Sequence, residues 1–165
     1  MYYKGFDANL CGYHDYPFEV GRTYSTDIDD TWSWYHYTRY ISATINYFEG
    51  DMRICEVEPL GETRRFRDAL DGFGKGYFTT NKLRIVRELS RDEVFDILLA
   101  EKCPLFLIKK LNPPFEVLMQ YKNQIRGDRC HWILSMAHLT DEQKRDLLPK
   151  VWHRYIRYFG EERAK

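Results

Sequence analysis

With 165 residues, 44% of them hydrophobic and 16% aromatic, the chain can bury the core of one domain or of two small ones, which excludes wholesale disorder. Its 25 basic side chains balance 25 acidic ones, so it lacks both the basic excess that attracts duplex DNA or an anionic membrane and the acidic excess of a nucleic-acid mimic. The longest apolar run, Pro104 to Ile108, falls far short of the roughly 20 residues a bilayer span needs.

The first ninety residues read as short strands punctuated by turn residues. Strands are expected at Tyr2–Phe6, Phe18–Thr23, Arg53–Glu58 and Lys82–Glu88, where β-branched and aromatic residues cluster. Cys55 and Val57 alternate with Glu56 and Glu58, the pattern of a half-buried strand. One helix is expected inside this region, Thr38–Phe48, because Ile41, Ile45 and Phe48 recur at helical spacing. The character changes at Ser90. Ser90 with Glu93 makes a capping box that opens a helix at Arg91, and Pro104 ends it. Asn112-Pro113-Pro114 precedes another helix, Phe115–Ile125, which Gly127 can stop. Thr140 with Gln143 is a second capping box, starting a helix over Asp141–Phe159 that should break or kink at Pro149 and stop at Gly160. The expected class is α+β. A small mixed or antiparallel sheet domain with an inserted helix occupies residues 1–89, and a helical C-terminal extension packed on it occupies residues 90–165.

Four cysteines, Cys11, Cys55, Cys103 and Cys130, show no CxxC spacing, and the N-terminus has no secretory pattern. The expected setting is a bacterial cytoplasm, with reduced thiols that act as small hydrophobes. Charge is uneven along the chain. Residues 1–60 contain ten acidic and four basic side chains, a formal −6, which leaves +6 on the rest.

The segments Lys4-Gly5-Phe6-Asp7, Phe18-Glu19-Val20-Gly21-Arg22-Thr23-Tyr24, Tyr35-His36-Tyr37, Cys55-Glu56-Val57-Glu58 with Gly61, and Thr80-Asn81-Lys82-Leu83-Arg84-Ile85 fall in a characteristic order. Together they resemble a domain family of unknown function that recurs in phage and prophage proteins, over about residues 2–90. The resemblance implies a compact α+β domain in a viral setting, and it supplies no catalytic residues.

Aromatic side chains are concentrated: residues 1–48 hold 14 of the 27. Trp32, Trp34, Tyr35, Tyr37 and Tyr40 can fill a core, anchor a protein interface or stack nucleobases. Arg64, Arg65 and Arg67 form a basic knot before Gly72-Phe73-Gly74-Lys75, read either as a solvated loop or as a contact for phosphate or an acidic surface. His36 has the chemistry of a general base, or of a histidine satisfied within the fold. Glu56 and Glu58, with Ser25-Thr26 upstream, resemble the serine and paired-glutamate elements of one class of ADP-ribosyltransferase. That likeness implies NAD as substrate, with Glu58, Ser25 and His36 at the reacting centre. The competing reading of the two glutamates is an ordinary outward strand face. Cys130, His131, His138 and His153 lack paired-ligand spacing, so no metal site is expected.

These features point first to a phage-type accessory protein that binds a host or defence-system protein stoichiometrically, a CRISPR effector being one concrete target. The alternatives are an NAD-using ADP-ribosyltransferase-like enzyme and an RNA or single-strand nucleic-acid binder using Trp32, Trp34 and the arginines. No catalytic residue, cofactor or membrane partner belongs to the leading reading.

Overall fold

The computed structural model describes residues 1–12, 16–45, 51–66 and 76–159. Arg67, the Gly72–Lys75 stretch, the end of the expected helix beyond Ile45, and Gly160 lie outside the described residues. The chain divides into two compact units, Met1–Leu111 and Asn112–Lys165, so the helical region that opens at Ser90 contributes to both.

The first unit is built on two antiparallel sheets. One has the order β1-β4-β7-β2, made by β1 (Tyr2–Phe6), β4 (Arg53–Pro59), β7 (Lys82–Glu88) and β2 (Thr23–Ser25). The other has the order β3-β6-β5, from β3 (Tyr35–Tyr37), β6 (Tyr77–Thr80) and β5 (Thr63–Phe66). A bridge between Tyr3 and Thr38 stitches β1 to the end of β3 through backbone bonds of 2.7 and 2.9 Å. Phe6, Cys55, Val57, Leu83 and Ile85 from the first sheet and Tyr37 from the second share a core with Leu10 and Phe18. This is the alternation expected of β4, in which Cys55 and Val57 are buried while Glu58 is exposed. A bulge between Glu56 and Val57 shifts the register against β7.

The α+β class is therefore observed, and the strands expected at Tyr2–Phe6, Arg53–Glu58 and Lys82–Glu88 are present. Three details differ. The strand expected at Phe18–Thr23 is displaced to Thr23–Ser25, because Gly21 takes a left-handed φ of 87° and turns the chain, with Arg22 N–H bonded to the Glu19 carbonyl. The inserted helix begins at Ile41, since Thr38 is committed to the bridge with Tyr3; α1 spans Ile41–Thr44. Finally, β3, β5 and β6 fall where the sequence reads as an aromatic cluster, a basic knot and a glycine-rich loop.

Capping follows the sequence closely. α2 (Arg91–Ala100) starts with Ser90 Oγ accepting from Glu93 N–H at 3.2 Å and the Glu93 carboxylate accepting from Ser90 N–H at 2.8 Å. α3 (Leu105–Ile108) follows Pro104. Glu101, just after α2, caps a different helix. Its carboxylate accepts from Ile41 N–H (2.8 Å), Ser42 N–H (3.1 Å) and Ser42 Oγ (2.6 Å), three donors at the N-terminus of α1. Glu101→Gln should therefore lower the stability of this unit by about 1–2 kcal/mol in a denaturant titration, and a change under a few tenths would show that the cap is idle.

In the second unit, α4 (Phe115–Gln120) passes into a 3-10 turn at Lys122–Gln124, and α5 spans Asp128–Ser135. Gly127 stands between them with φ of 58°, a conformation that other residues rarely adopt. Thr140 and Gln143 complete their capping box, opening α6 (Asp141–Leu147). The expected break appears at Leu148, and α7 (Pro149–Phe159) starts on the proline. Leu118, Ile133, Leu147 and Leu148 are buried. No helix among the described residues is long and apolar enough to cross a membrane.

Candidate functional site

Two features of the first unit are built from chemistry-bearing side chains. The first is an aromatic cluster around Lys4. Period-two alternation on β1 places Tyr2, Lys4 and Phe6 opposite Val57, Cys55 and Arg53 of β4, so Lys4 is carried toward the side where Cys55 and Val57 join the core. Its ammonium donates to the His36 carbonyl at 3.1 Å and lies 5.5 Å from the Phe6 ring centroid and 5.7 Å from that of Phe18. Burial brings the Lys4 amine down to about 8. Phe18 is the hub of the cluster, with centroids at 5.1 Å to Phe6, 5.0 Å to Tyr16, 4.8 Å to Tyr24 and 6.0 Å to Tyr35. Burial, then the Tyr16 hydroxyl, pushes Tyr35 up to about 12. The Tyr24 hydroxyl accepts from Glu19 N–H at 2.7 Å. A neighbouring cluster joins Tyr2 edge-on to Tyr37 and stacks Tyr37 on Phe78, with the Arg39 guanidinium over Tyr2 and Phe78.

The second feature is the segment 26–34, which carries two large apolar side chains into solvent. Thr26 N–H bonds to the Asn81 carbonyl, and Asp30 caps a 3-10 turn over Thr31–Ser33 by accepting from Trp32 N–H. The segment is pinned where Trp34 buries its ring and donates its indole N–H to the Ile28 carbonyl at 2.8 Å, with the Arg64 guanidinium 5.0 Å from that ring. Ile28 and Trp32 are left 57% and 69% exposed, beside the exposed carboxylates Asp27, Asp29 and Asp30. Gly61 matters at the base of this region. A Cβ there would stand 2.0 Å from Asn81 Oδ1, the atom that accepts from Glu62 N–H.

Strands β1 to β7 and most of α2 fall inside residues 1–97, which match the family model of a domain of unknown function, DUF7666. The chain belongs to this family. No curated protein matches it. The two features just described both lie within the DUF7666 domain.

The domain sorts the aromatic candidates by role. Trp32 and Tyr40 are exposed, Tyr35 is half-buried against the core, and Trp34 and Tyr37 are buried at 6% and 2% exposure. Trp34 and Tyr37 thus serve packing and are not surface anchors, because one fixes the 26–34 segment and the other joins the core between the sheets. Arg64 and Arg65 are exposed on β5, with Arg64 also paired to Glu62 at 2.8 Å. Arg67 lies outside the described residues.

Glu58, Ser25 and His36 are distributed over both sheets. Glu58 faces Arg84 across β4–β7, and Ser25 faces Lys82 across β2–β7, on an exposed face of the four-stranded sheet. His36 is half-buried in the other sheet, opposite Thr79. Glu56 is tied to Arg87 by two bonds of 3.0 Å, an arrangement that binds strand to strand. Arg87 also reaches Glu93, which links β7 to α2. None of the four cysteines is in a disulfide, and burial pushes Cys55 up to about 12, leaving it a neutral thiol. Among the described residues no group of His, Cys, Asp and Glu is placed to hold a metal ion.

Lys4 and Phe18 are the residues that sequence reasoning did not single out for a site. The signal existed in the β1 register, but Tyr3 and Gly5 are buried as well, so alternation alone could not tell which side Lys4 takes.

Proposed function

We infer that this DUF7666 chain is a stoichiometric protein-binding module that captures its partner through the 26–34 segment. The observation that carries this reading is Trp32, 69% exposed on a backbone held by an Asp30 cap and the Trp34 indole bond. Tryptophan ordered in advance loses little conformational freedom on binding and offers large apolar area, the properties of an interface hot spot. Ile28 extends the apolar area, and Asp27, Asp29 and Asp30 supply a polar rim. The phage setting implied by the sequence resemblance makes a host or defence-system protein the partner class, a CRISPR effector among them.

The test is an affinity pull-down of the tagged chain from nuclease-treated bacterial lysate, followed by mass spectrometry and size-exclusion chromatography. One stoichiometric partner is expected. Trp32→Ala should weaken its capture about 30-fold, by the roughly 2 kcal/mol typical of a hot spot, with stability changed by under about 0.5 kcal/mol. Capture that is indifferent to Trp32→Ala and Ile28→Ala would remove the segment from the interface. The absence of any nuclease-resistant partner would overturn the binding reading itself.

A further inference from the structure

Where the four-stranded sheet hands the chain to α2, the first unit contains a cavity that shares no residue with the 26–34 segment. β7 stops at Glu88, Leu89 N–H closes onto the Ile54 carbonyl at 2.9 Å, and Ser90 turns the chain into the helix. Between the sheet end and the first turns of α2 about 130 Å³ is left unfilled. Ile54, Leu89, Val94 and Phe95, all buried, give this space an apolar floor, with Met52 and Leu111 half-exposed beside it. The volume is close to the roughly 150 Å³ that holds one benzene ring in an apolar protein cavity.

The charged side chains that line the cavity are Arg53, Arg91 and Glu88, a formal excess of one positive charge. Arg53 gives Nε, at 2.8 Å, and Nη2 to the Glu88 carboxylate. That occupies one edge of a planar fork of N–H donors. The other edge, Nη1 with the outer N–H of Nη2, has no acceptor among the described residues. Asp7, whose charge also reaches Arg53, turns Oδ1 to the N–H groups of Asn9 and Cys11. Arg91 donates to the Leu111 carbonyl and lies 5.5 Å from the Phe95 ring centroid, so its charge stands beside the apolar floor.

We propose that this cavity binds a small carboxylic acid with one ring-sized apolar body, its carboxylate held by the open edge of Arg53 beside Arg91. An arginine edge takes both carboxylate oxygens at once, which fixes orientation as well as charge. The apolar body rests on Ile54, Val94 and Phe95, where burial removes its surface from water.

Benzoate is the probe, titrated into the isotope-labelled protein at neutral pH with backbone amide chemical shifts as the readout. Saturable shifts should be confined to the amides around Ile54, Leu89, Val94 and Phe95, with a Kd of about 1 mM, as expected of so small a ligand. Benzamide, the same shape without the charge, should bind about tenfold more weakly. Arg53→Lys keeps a cation beside Glu88 but removes the open edge, so benzoate should weaken about tenfold while benzamide changes little. Val94→Phe fills the apolar floor and should abolish binding of both ligands without touching the ion pair. The amide spectrum of each variant reports its fold, and either variant that folds suffices for the test. The proposal is overturned by an absence of saturable shifts up to about 20 mM benzoate. It is equally overturned if benzamide binds as tightly as benzoate, or if a folded variant leaves the benzoate affinity unchanged.

Discussion

Replacing Tyr37 by alanine is expected to lower the unfolding free energy of the first unit by about 3–5 kcal/mol, the range for deleting a buried aromatic ring. Its side chain is 2% exposed and stands in the core shared by the two sheets. The ring stacks on Phe78 with centroids 5.6 Å apart and meets the Tyr2 ring edge-on at 5.1 Å. Deletion leaves a cavity bordered by both, and the surrounding strands can close it only in part, since Tyr37 and Phe78 are themselves register partners across β3 and β6. The hydroxyl matters less. It reaches Thr63 Oγ1 at 3.5 Å, a long contact, so Tyr37→Phe should cost under about 1 kcal/mol. Guanidinium titrations of the two variants followed by near-ultraviolet circular dichroism separate these expectations. A loss below about 1 kcal/mol for Tyr37→Ala would mean that the ring does not hold the sheets together.

The contrast between Tyr37 and Trp32 shows where sequence was informative and where it stopped. Capping boxes at Ser90 and Thr140, and the break before Pro149, are local devices whose donors and acceptors lie within four residues. They were legible for that reason. Strands β1, β4 and β7 were legible too, because their apolar runs are bounded by turn residues. The aromatic stretch was not, since Trp32 and Trp34 are two residues apart and would share a face in a strand. The 3-10 turn at Thr31–Ser33 rotates them apart instead, exposing one and burying the other. β5 carries Arg64 and Arg65 at successive positions and reads as a charged loop, but pairing with β6 fixes it as an edge strand, where charged side chains are at home. The bond from Glu101 to α1 spans some sixty residues and has no sequence signature at all.

Lys4 should give the protein a pH dependence of stability that distinguishes it from Lys4→Met. In the folded state the amine sits at about 8, whereas in the unfolded chain it returns to the ordinary lysine value of 10.5. Below pH 8 both states hold the proton, and the folded state bears the full penalty of a desolvated ammonium. Between pH 8 and 10.5 the folded state has released the proton while the unfolded state still binds it, so stability rises with pH. Above that window the penalty is gone. Wild type should therefore gain about 2–3 kcal/mol relative to Lys4→Met between pH 7.5 and 10.5. The opposing trend comes from groups whose folded values are raised, Cys55 and Tyr35 among them, which favour unfolding as the pH climbs. Both proteins contain these groups, so their effect largely cancels in the difference. The bond lost at the His36 carbonyl offsets the comparison by an amount that does not vary with pH. Urea titrations of both proteins at half-unit pH intervals measure the difference directly. A flat difference would place the amine in water.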